Sequence, residues 1–357
     1  MQTLLLSNDL VRRGVDTHLI LHRAEGELLG ELDPAVHVHN LGLESHALLP
    51  LIAVKLDRVL GTFDNGLIIV KLWSSLLAVQ LAVARKRHLA YAICEDLDPL
   101  DHWRHIKLGT IKRRLIRPIF RHSPLVMANT ERVADGMIES YSLSRRPEVL
   151  YGGVDVARIR ELAGEWTLAE APDRGSSDAP IRLVTVASLR SRKGHLRILA
   201  ALRQVERPWE WHIVGDGPEA ERLKAQIPTQ ISHRVHFHGA VANPYPYIAA
   251  SDALVHLPYS EAFGIVILEA LALGVPVISS PAIGPLEISE EIDPERRHLA
   301  FVEPTDPAEV AAAIGNVKRR TDHDIPRDIV GRFAIASTTD SWLSVANTHV
   351  ERWAQTI

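Results

Sequence analysis

The chain has 357 residues, which is long enough for two domains of ordinary size, each with its own buried core. A formal net charge of -4 excludes a general electrostatic attraction to nucleic acid, so an anionic partner needs a local basic patch. The single cysteine, Cys94, excludes an intrachain disulfide and suits a reducing cytosol. The polar start MQTLLLSNDLVRRG does not resemble a secretory signal, so we expect no export.

Short β-rich runs alternate with helix-length segments through the first half of the chain. The runs are HLILH (18 to 22), VHVHNL (36 to 41), LIIV (67 to 70), LAYAIC (89 to 94) and LVMAN (125 to 129). Residues 66 to 85 resemble a membrane span, but Lys71, Ser74, Ser75 and Gln80 interrupt them. This stretch therefore predicts a strand followed by a helix.

Residues 102 to 122 form a basic segment without any acid. Leu108, Ile111, Leu115 and Ile119 fall at helical spacing, which gives an apolar stripe beside a basic face. Such a helix is able to lie on an anionic membrane surface. It is equally well explained as a core-facing helix whose cations are solvated or line a cleft.

The second half repeats the alternation of strands and helices. Its runs are IRLVTVA (181 to 187), WEWHIVG (209 to 215), RVHFHG (234 to 239), ALVHL (253 to 257) and VPVIS (275 to 279). Continuous apolar strands between helices predict parallel sheets covered on both faces, hence an α/β fold with two doubly wound domains. We predict a first domain over residues 1 to 163, a Gly/Pro/Ser-rich linker over 164 to 180 and a second domain over 181 to 337. A last helix, with a Ser/Thr/Asp cap, is predicted over 338 to 357.

Two glutamates stand out in SEAFGIVILEALALGVPVISS, residues 260 to 280. Glu261 precedes a predicted helix, and Glu269 falls in its second turn within an apolar run from Ile265 to Leu273. A helix that is apolar all round is normally buried, and a buried carboxylate needs a partner. Glu269 is therefore expected to face a ligand or a cation, and the alternative is an ordinary surface glutamate.

A basic loop, RSRKG, lies between a predicted strand and a helix. Arg190, Arg192 and Lys193 collect at the start of that helix, where the helix dipole disfavours cations. An anion held between them explains this placement, and three solvated loop cations are the alternative.

The spacing of Glu261 and Glu269 resembles the E-x7-E pattern of glycosyltransferase family 4, a family of retaining enzymes. The resemblance continues in VASLRSRKG (186 to 194), HIVGDGPEAERL (212 to 223), VHFHGAVANPYPYIAASDALVHLP (235 to 258) and GPLEI (284 to 288). It implies the GT-B fold, in which two Rossmann-like domains face each other across a cleft that binds a nucleotide sugar. It also implies that the last helix, residues 338 to 357, returns to the first domain.

The resemblance also implies roles for individual residues at the donor site. Lys193 and Glu261 would be catalytic, Lys193 at the departing diphosphate and Glu261 at the sugar and the anomeric centre. Glu269 would accept the ribose hydroxyls. The other donor-binding candidates are Phe263, Gly264, Ile265, Ser188, Arg190, Arg192 and Val241. No metal is implied, because Lys193 and helix N–H groups would neutralise the leaving diphosphate.

The chain departs from the family pattern at two places. Ser188 stands where the family often has a phosphate-binding arginine, with Arg190 or Arg192 as substitutes. Cys94-Glu95-Asp96 replaces a common histidine, which makes Glu95 and Asp96 the acceptor-side candidates.

We assign no metal and no bound cofactor. Asp96-Leu97-Asp98 matches the D-x-D of metal-dependent sugar transferases of another fold, but three-residue matches arise freely. The pairs His37/His39 and His236/His238 each share a strand face, yet neither has a third ligand nearby in sequence.

The resulting hypothesis is a cytoplasmic hexosyltransferase that acts on a nucleotide sugar and a glycan or lipid-linked acceptor. It would bind the inner membrane face peripherally if residues 102 to 122 dock on lipid. A noncatalytic family member that binds a nucleotide sugar or a partner subunit is the alternative, and a nucleotide-sugar epimerase is a lesser one. We expect no nucleic-acid partner.

The start of the chain also departs from the family. MQTLLLSNDLVRRG matches the helix that follows the family's first strand and Gly-rich loop. That strand is central in a doubly wound sheet, so its neighbours would face each other unpaired. One expectation is therefore a longer native chain, and the other is a remodelled first domain that only binds.

Overall fold

A computed structural model describes residues 2–43, 49–71, 73–83, 89–164, 179–318, 325–326 and 328–355. The chain divides into two compact units, residues 1–153 with 335–357, and residues 154–334. The first unit therefore ends ten residues before the predicted boundary at 163. A helix at Val156–Gly164 belongs to the second unit, where it packs on two further helices. Most of the predicted linker, residues 165 to 178, lies outside the described residues.

The N-terminal unit contains two parallel sheets. The first pairs β1 (His18–Leu21) with β2 (His37–Asn40), and the second has the order β3-β4-β5-β6. The latter strands are β3 (Gly66–Val70), β4 (Leu89–Glu95), β5 (Val126–Ala128) and β6 (Glu148–Val149). Within the described residues, the two sheets share no strand pairing.

The helices of this unit flank the two sheets. They are α1 (Gln2–Arg12), α2 (Leu49–Leu60), α3 (Trp73–Val83), α4 (Pro99–His105), α5 (Gly109–His122), α6 (Glu131–Tyr141) and, from the end of the chain, α14 (Ile335–Ala354). The strand β3 followed by the helix α3 is what residues 66 to 85 predicted.

Helix α14 packs on α1, β3 and β4 of the N-terminal unit. Trp342 contributes its ring to a buried cluster with Ala92, Cys94 and Met127. The helix begins at Ile335, so the residues predicted as its cap lie inside its first turns. There the hydroxyls of Thr338 and Thr339 donate to the Ile335 carbonyl instead.

The basic segment is two helices rather than one. Helices α4 and α5 are separated at residues 106 to 108, and Leu108 has a φ of 59°. The predicted apolar stripe is largely exposed, at 60% for Leu108, 54% for Ile111 and 62% for Leu115. Helix α5 buries Ile116 and Phe120 instead. The core-facing interpretation of the stripe is therefore wrong for these three residues.

The C-terminal unit has one six-stranded parallel sheet with the order β12-β11-β10-β7-β8-β9. Its strands are β7 (Ile181–Val186), β8 (Trp209–Val214), β9 (Val235–Gly239), β10 (Ala253–His256), β11 (Val277–Ser279) and β12 (Leu299–Phe301). This is the Rossmann order, which reverses between β7 and β10. In such sheets, ligands bind beyond the carboxyl ends of the strands at the point of reversal.

The helices that cover this sheet are α7 (Val156–Gly164), α8 (His195–Leu202), α9 (Ala220–Gln226), α10 (Tyr245–Ala249), α11 (Ile265–Ala272), α12 (Ile283–Ile292) and α13 (Pro307–Gly315). Trp209, Trp211 and Ile213 of β8 point into the main core. Because side chains alternate along a strand, Glu210 and His212 lie on the other face.

The predicted strand runs are confirmed as β1 to β5 and β7 to β11. The short strands β6 and β12 were not predicted, because two or three residues carry too little periodicity to be recognised. Among the described residues, no helix combines the length and apolar character that crossing a membrane requires.

Candidate active site

The point of reversal in the C-terminal sheet collects the predicted catalytic residues. Lys193 follows β7, and Glu261 follows β10. Both loops leave the carboxyl ends of neighbouring strands, so they emerge at the same edge of the sheet. The fold thus brings together two residues that are 68 positions apart in sequence.

Gly194 allows the Lys193 loop to lie against the end of β10. Ser191–Lys193 form a short 3-10 turn, and Gly194 follows it with a φ of 74°. A Cβ atom at this position would lie 1.9 Å from the Leu257 carbonyl oxygen. Only glycine fits both this conformation and this approach.

Lys193 and Glu261 are in direct contact. The Lys193 Nζ lies 2.5 Å from Glu261 Oε2, and His256 Nε2 lies 3.1 Å from the same oxygen. Burial acts to raise the pKa of Glu261, but the hydrogen bond from His256 and the charge of Lys193 outweigh it and lower this pKa to about 2. Glu261 is therefore a carboxylate at any physiological pH.

Helix α11 begins directly after the loop that carries Glu261. Its N-cap, Gly264, has a φ of 100°, and the buried ring of Phe263 packs against Phe333. The first turn, from Ile265, has N–H groups without partners inside the helix, which suit an anion or sugar oxygens. Gly284 of α12 lies against the Phe263 backbone, where a Cβ would be 2.3 Å from the Phe263 carbonyl oxygen.

Glu269 is buried in the second turn of α11, as its apolar neighbours predicted. Its Oε1 accepts a hydrogen bond from the Tyr245 hydroxyl of α10 at 3.2 Å. Burial raises the pKa of Glu269 to about 7, although the Tyr245 hydrogen bond opposes the rise. This phenol is thus the partner of one of the two carboxylate oxygens.

The remaining donor-binding candidates lie in the loops that follow β7 and β9. Ser188, Arg190 and Arg192 are exposed in the Lys193 loop, and Val241 is half-buried after β9. Within the part of the chain that the structure describes, neither arginine forms an ion pair. Their side chains thus remain available to phosphate, and their role stays a prediction.

The acceptor-side candidates have partners in the N-terminal unit. Glu95 is buried, accepts from the Leu97 N–H at 3.2 Å and lies 3.5 Å from the Tyr141 hydroxyl. Burial raises the pKa of Glu95 to about 8. Asp96 is half exposed and pairs with Lys71 at 3.0 Å. Of the two, Asp96 is the more accessible to an acceptor.

The D-x-D match has local structural roles. Asp98 caps α4 by accepting from the Leu100 N–H at 2.9 Å, and Asp96 pairs with Lys71. Thr130 likewise caps α6 by accepting from the Val133 N–H. These contacts account for the residues without a ligand.

Sequence reasoning missed two partners in the donor site, His256 and Tyr245. His256 is the last residue of β10 and contacts Glu261, and Tyr245 opens α10 and contacts Glu269. A polar residue at the carboxyl end of a strand beside the point of reversal is a usable signal for His256. Tyr245 carries no comparable signal, because its contact depends on how α10 packs on α11.

The pairing of neighbouring strands brings further potential metal ligands close to one histidine of each pair. These neighbours were not evident from the sequence. Asp16 and His18 lie beside His37, and Glu210 and His212 lie beside His236. The sequence could not show this, because each group forms across two parallel strands.

Two family profiles match most of the chain. The profile for Glycosyltransferase Family 4 covers residues 2–158, and the profile for Glycosyl transferases group 1 covers residues 180–319. Together with the site geometry, they define the class of the protein as a group 1 glycosyltransferase. The chain belongs to glycosyltransferase family 4.

Curated relatives match over part of their length. A lipopolysaccharide core biosynthesis glycosyltransferase, LpsE, of Rhizobium meliloti is 28% identical over 180 residues, which are 50% of this chain and 50% of that protein. A D-inositol 3-phosphate glycosyltransferase of Salinispora tropica is 32% identical over 182 residues, 45% of this chain and 37% of that protein. The matched segment thus spans half or less of these relatives.

Solved structures agree on the fold. HepE of Anabaena in complex with UDP and glucose has a TM-score of 0.74 at 20% identity, covering 96% of this chain and 95% of that one. The apo form of WaaB, a lipopolysaccharide outer core galactosyltransferase, has a TM-score of 0.68 at 17% identity, covering 96% and 94%. The fold class is therefore GT-B, with parallel α/β units.

Proposed function

We propose that this protein is a retaining glycosyltransferase that moves a hexose from a nucleotide diphosphate sugar to a glycan or lipid-linked acceptor. The product would belong to a cell-surface polysaccharide or glycolipid. The observation that carries the proposal is the contact of Lys193 with Glu261 beside the start of α11. Relatives named for lipopolysaccharide core synthesis and for colanic acid biosynthesis support the pathway class.

The contact suits the charge changes of glycosyl transfer. As the bond from the anomeric carbon to the diphosphate breaks, negative charge grows on the leaving oxygen and positive charge on the sugar. Lys193 and the first-turn N–H groups of α11 are arranged to stabilise the diphosphate. Glu261, ionised by its two partners, stabilises the cation-like sugar. The acceptor oxygen forms the new bond to the anomeric carbon, and its proton is transferred to the departing diphosphate.

The ribose of the donor fits the environment of Glu269. Its carboxylate accepts hydroxyl protons, and the Tyr245 hydroxyl holds one oxygen in place. No metal takes part in this proposal, because Lys193 and helix N–H groups supply the positive charge.

A thermal-shift screen tests donor binding. UDP-glucose is the first probe, because HepE has been solved with UDP-glucose, and GDP-mannose is the second. A ligand that binds only the folded state stabilises it by roughly 2.7 kcal/mol at about 100 times its Kd. The proposal requires that at least one nucleotide sugar raises the unfolding midpoint of the chain. A midpoint unmoved by every nucleotide sugar contradicts it.

A noncatalytic binding protein is the second candidate. The observation that favours it is the burial of Glu95, whose contacts with Leu97 and Tyr141 occupy the predicted acceptor-side carboxylate. Binding of a nucleotide sugar without any release of the nucleotide would support this candidate. Turnover would exclude it.

We also propose that the exposed apolar stripe of α5 binds an anionic membrane. Leu108, Ile111 and Leu115 are exposed, and Arg104, Lys107 and Arg114 beside them are exposed cations. A lipid-linked acceptor lies at such a surface, so docking would bring the enzyme to its substrate. Peripheral membrane binding on the cytoplasmic side follows from this proposal.

A further inference from the structure

Three histidines and a glutamate cluster on the edge of the C-terminal sheet. Glu210 and His212 lie on β8, on the face opposite the tryptophan core, and His236 and His238 lie on the edge strand β9. His212 pairs with His236 in the parallel register. One ligand atom from each of Glu210, His212 and His236 lies within 4.8 Å of the others.

The ring of His212 has one satisfied nitrogen and one without a partner. Its Nδ1 lies 2.9 Å from His238 Nε2, so these two rings share a hydrogen bond. Its Nε2 is buried and has no hydrogen-bond partner among the described residues. Glu210 Oε2 lies 3.7 Å from it, which is too far for a hydrogen bond. His212 is 7% exposed, so water does not readily replace the missing partner.

The hydrogen bond to His238 suits a metal-binding imidazole. If His212 donates its Nδ1 proton to His238, its Nε2 presents a lone pair toward the Glu210 carboxylate. Two acceptors then face each other across a gap that a bound cation would satisfy. Histidines that bind metals usually donate their other N–H to a nearby acceptor, which fixes the ring.

We propose that Glu210, His212 and His236 bind a divalent transition metal, with Zn²⁺ as the best fit, and that the metal clips the edge strand β9 to β8. Two imidazoles and a carboxylate are a known ligand set for Zn²⁺. The ligand atoms around a tetrahedral Zn²⁺ ion are about 3.3 Å apart. Rotation of the three side chains would bring their ligand atoms to this distance. The proposed site departs from the expectation, drawn from the sequence, that the chain binds no metal.

Arg182 lies near Glu210 and competes with a metal for the negative charge of this carboxylate. Its Nε lies 3.7 Å from Glu210 Oε2, and a terminal guanidinium nitrogen donates to the Ala250 carbonyl. Glu210 has a second carboxylate oxygen, so it is able to contact both cations. The site uses none of Lys193, Glu261 and Glu269, so it does not depend on the proposed transferase.

The N-terminal unit provides a matched control with the same residue spacing. Asp16 lies two residues before His18 of β1, which pairs with His37 of β2, and His18 Nδ1 lies 2.9 Å from His39 Nε2. There, however, Asp16 is 78% exposed and already contacts His18 Nε2 at 3.2 Å. No buried nitrogen of this group lacks a partner among the described residues, and we propose no metal there.

The test uses the full chain after treatment with a chelator. Zn²⁺ affinity is measured by competition with a chromophoric chelator, and Co²⁺ is titrated while its visible absorption bands are recorded. The variants are His236→Ala and Glu210→Gln, with His37→Ala as the control. We expect one tight site per chain, weakened more than about tenfold in the first two variants, since even an outer-shell partner contributes about 10–100-fold. His37→Ala should bind like the parent.

Stability measurements establish whether each variant folds. Zn²⁺ should raise the unfolding midpoint of the parent, a chelator should reverse the rise, and the metal-free variants should retain the parent's circular dichroism. If His236→Ala does not fold, Glu210→Gln decides, because it preserves the volume of the side chain. The proposal is wrong if the parent binds no Zn²⁺, if binding survives in the decisive variant, or if His37→Ala abolishes it.

Discussion

Lys193 and Glu261 form an ion pair, with 2.5 Å between the ammonium nitrogen and the carboxylate Oε2. Each side chain neutralises the charge of the other. A donor diphosphate would compete for Lys193, while His256 remains bonded to Glu261. Under the proposed function, the pair would therefore link binding of the leaving group to exposure of a carboxylate near the sugar.

Substitution of Lys193 should affect turnover more than binding. The negative charge on the leaving diphosphate grows in the transition state, so Lys193→Ala should reduce kcat by roughly a hundredfold, as loss of one preorganised donor does. The donor Kd should change much less. Nucleotide release and equilibrium binding are measured on the same preparation, with Lys193→Arg as the charge-preserving control. Equal losses in kcat and affinity would indicate ground-state binding only.

Donor affinity should depend on pH through Glu269. Its pKa of about 7 means that the carboxylate form, which accepts ribose hydroxyls, is gained as the pH rises. Between pH 6 and pH 8 the affinity for UDP-glucose should increase roughly tenfold, following the ionised fraction. UDP-glucose itself has no phosphate that titrates in this range.

The matched variant for this effect is Glu269→Gln, which keeps the volume and the Tyr245 contact. Its affinity should be about 10- to 100-fold weaker at pH 8, the cost of a hydrogen bond to a charged group, and flat with pH. The substitution should also change how the free energy of unfolding depends on pH. Because the pKa of Glu269 is raised in the folded state, the parent loses stability as the pH rises from about 4.5 to about 7, and the variant should not. A pH-independent parent would rule out the ribose role.

The backbone at Gly194 should tolerate no side chain. Gly194→Ala places a Cβ 1.9 Å from the Leu257 carbonyl oxygen at a φ of 74°, so the Lys193 loop must shift. We expect a loss of at least about 1–3 kcal/mol in the free energy of unfolding, together with reduced donor binding. Gly315→Ala is the control, because its Cβ would meet nothing within 4 Å. Chemical denaturation of both variants measures the difference, and identical stabilities would contradict the close approach.

The exposed stripe of α5 should determine binding to lipid. Ile111→Asp with Leu115→Asp should weaken binding to phosphatidylglycerol vesicles by more than about tenfold, since each inserted side chain contributes about 1.5 kcal/mol or more. Arg113 and Arg117 are left unchanged, because Arg117 donates to Tyr141 and Ser142. Leu51→Asp with Val54→Asp on α2 is the control, as both side chains are exposed. If both double variants sediment with the vesicles to the same extent, the stripe of α5 does not determine membrane binding.

The sequence predicted the strands and the Glu261/Glu269 helix because both signals are local. An apolar run with one carboxylate at its centre indicates burial and a partner whatever the rest of the fold does. The partners themselves were not predictable, since Tyr245 and His256 reach these glutamates only through packing of α10 and β10.

Three further misses have physical causes. Helical spacing places Leu108, Ile111 and Leu115 on one face but does not tell whether the protein covers that face. The His212 cluster depends on the register of two parallel strands separated by a helix, which no local pattern encodes. The predicted boundary at residue 163 followed the change to a Gly/Pro/Ser-rich composition after α7, whereas α7 itself belongs to the second unit.

The configuration of the first sugar released from UDP-glucose, or from the donor identified by thermal shift, tests the central claim most directly. With water as a slow acceptor, proton NMR distinguishes α-glucose from β-glucose before the two forms equilibrate. A retaining transferase releases α-glucose first from the α-linked donor, and Lys193→Ala should slow this release. Release of β-glucose first, or a rate that is the same with and without Lys193, would contradict the account.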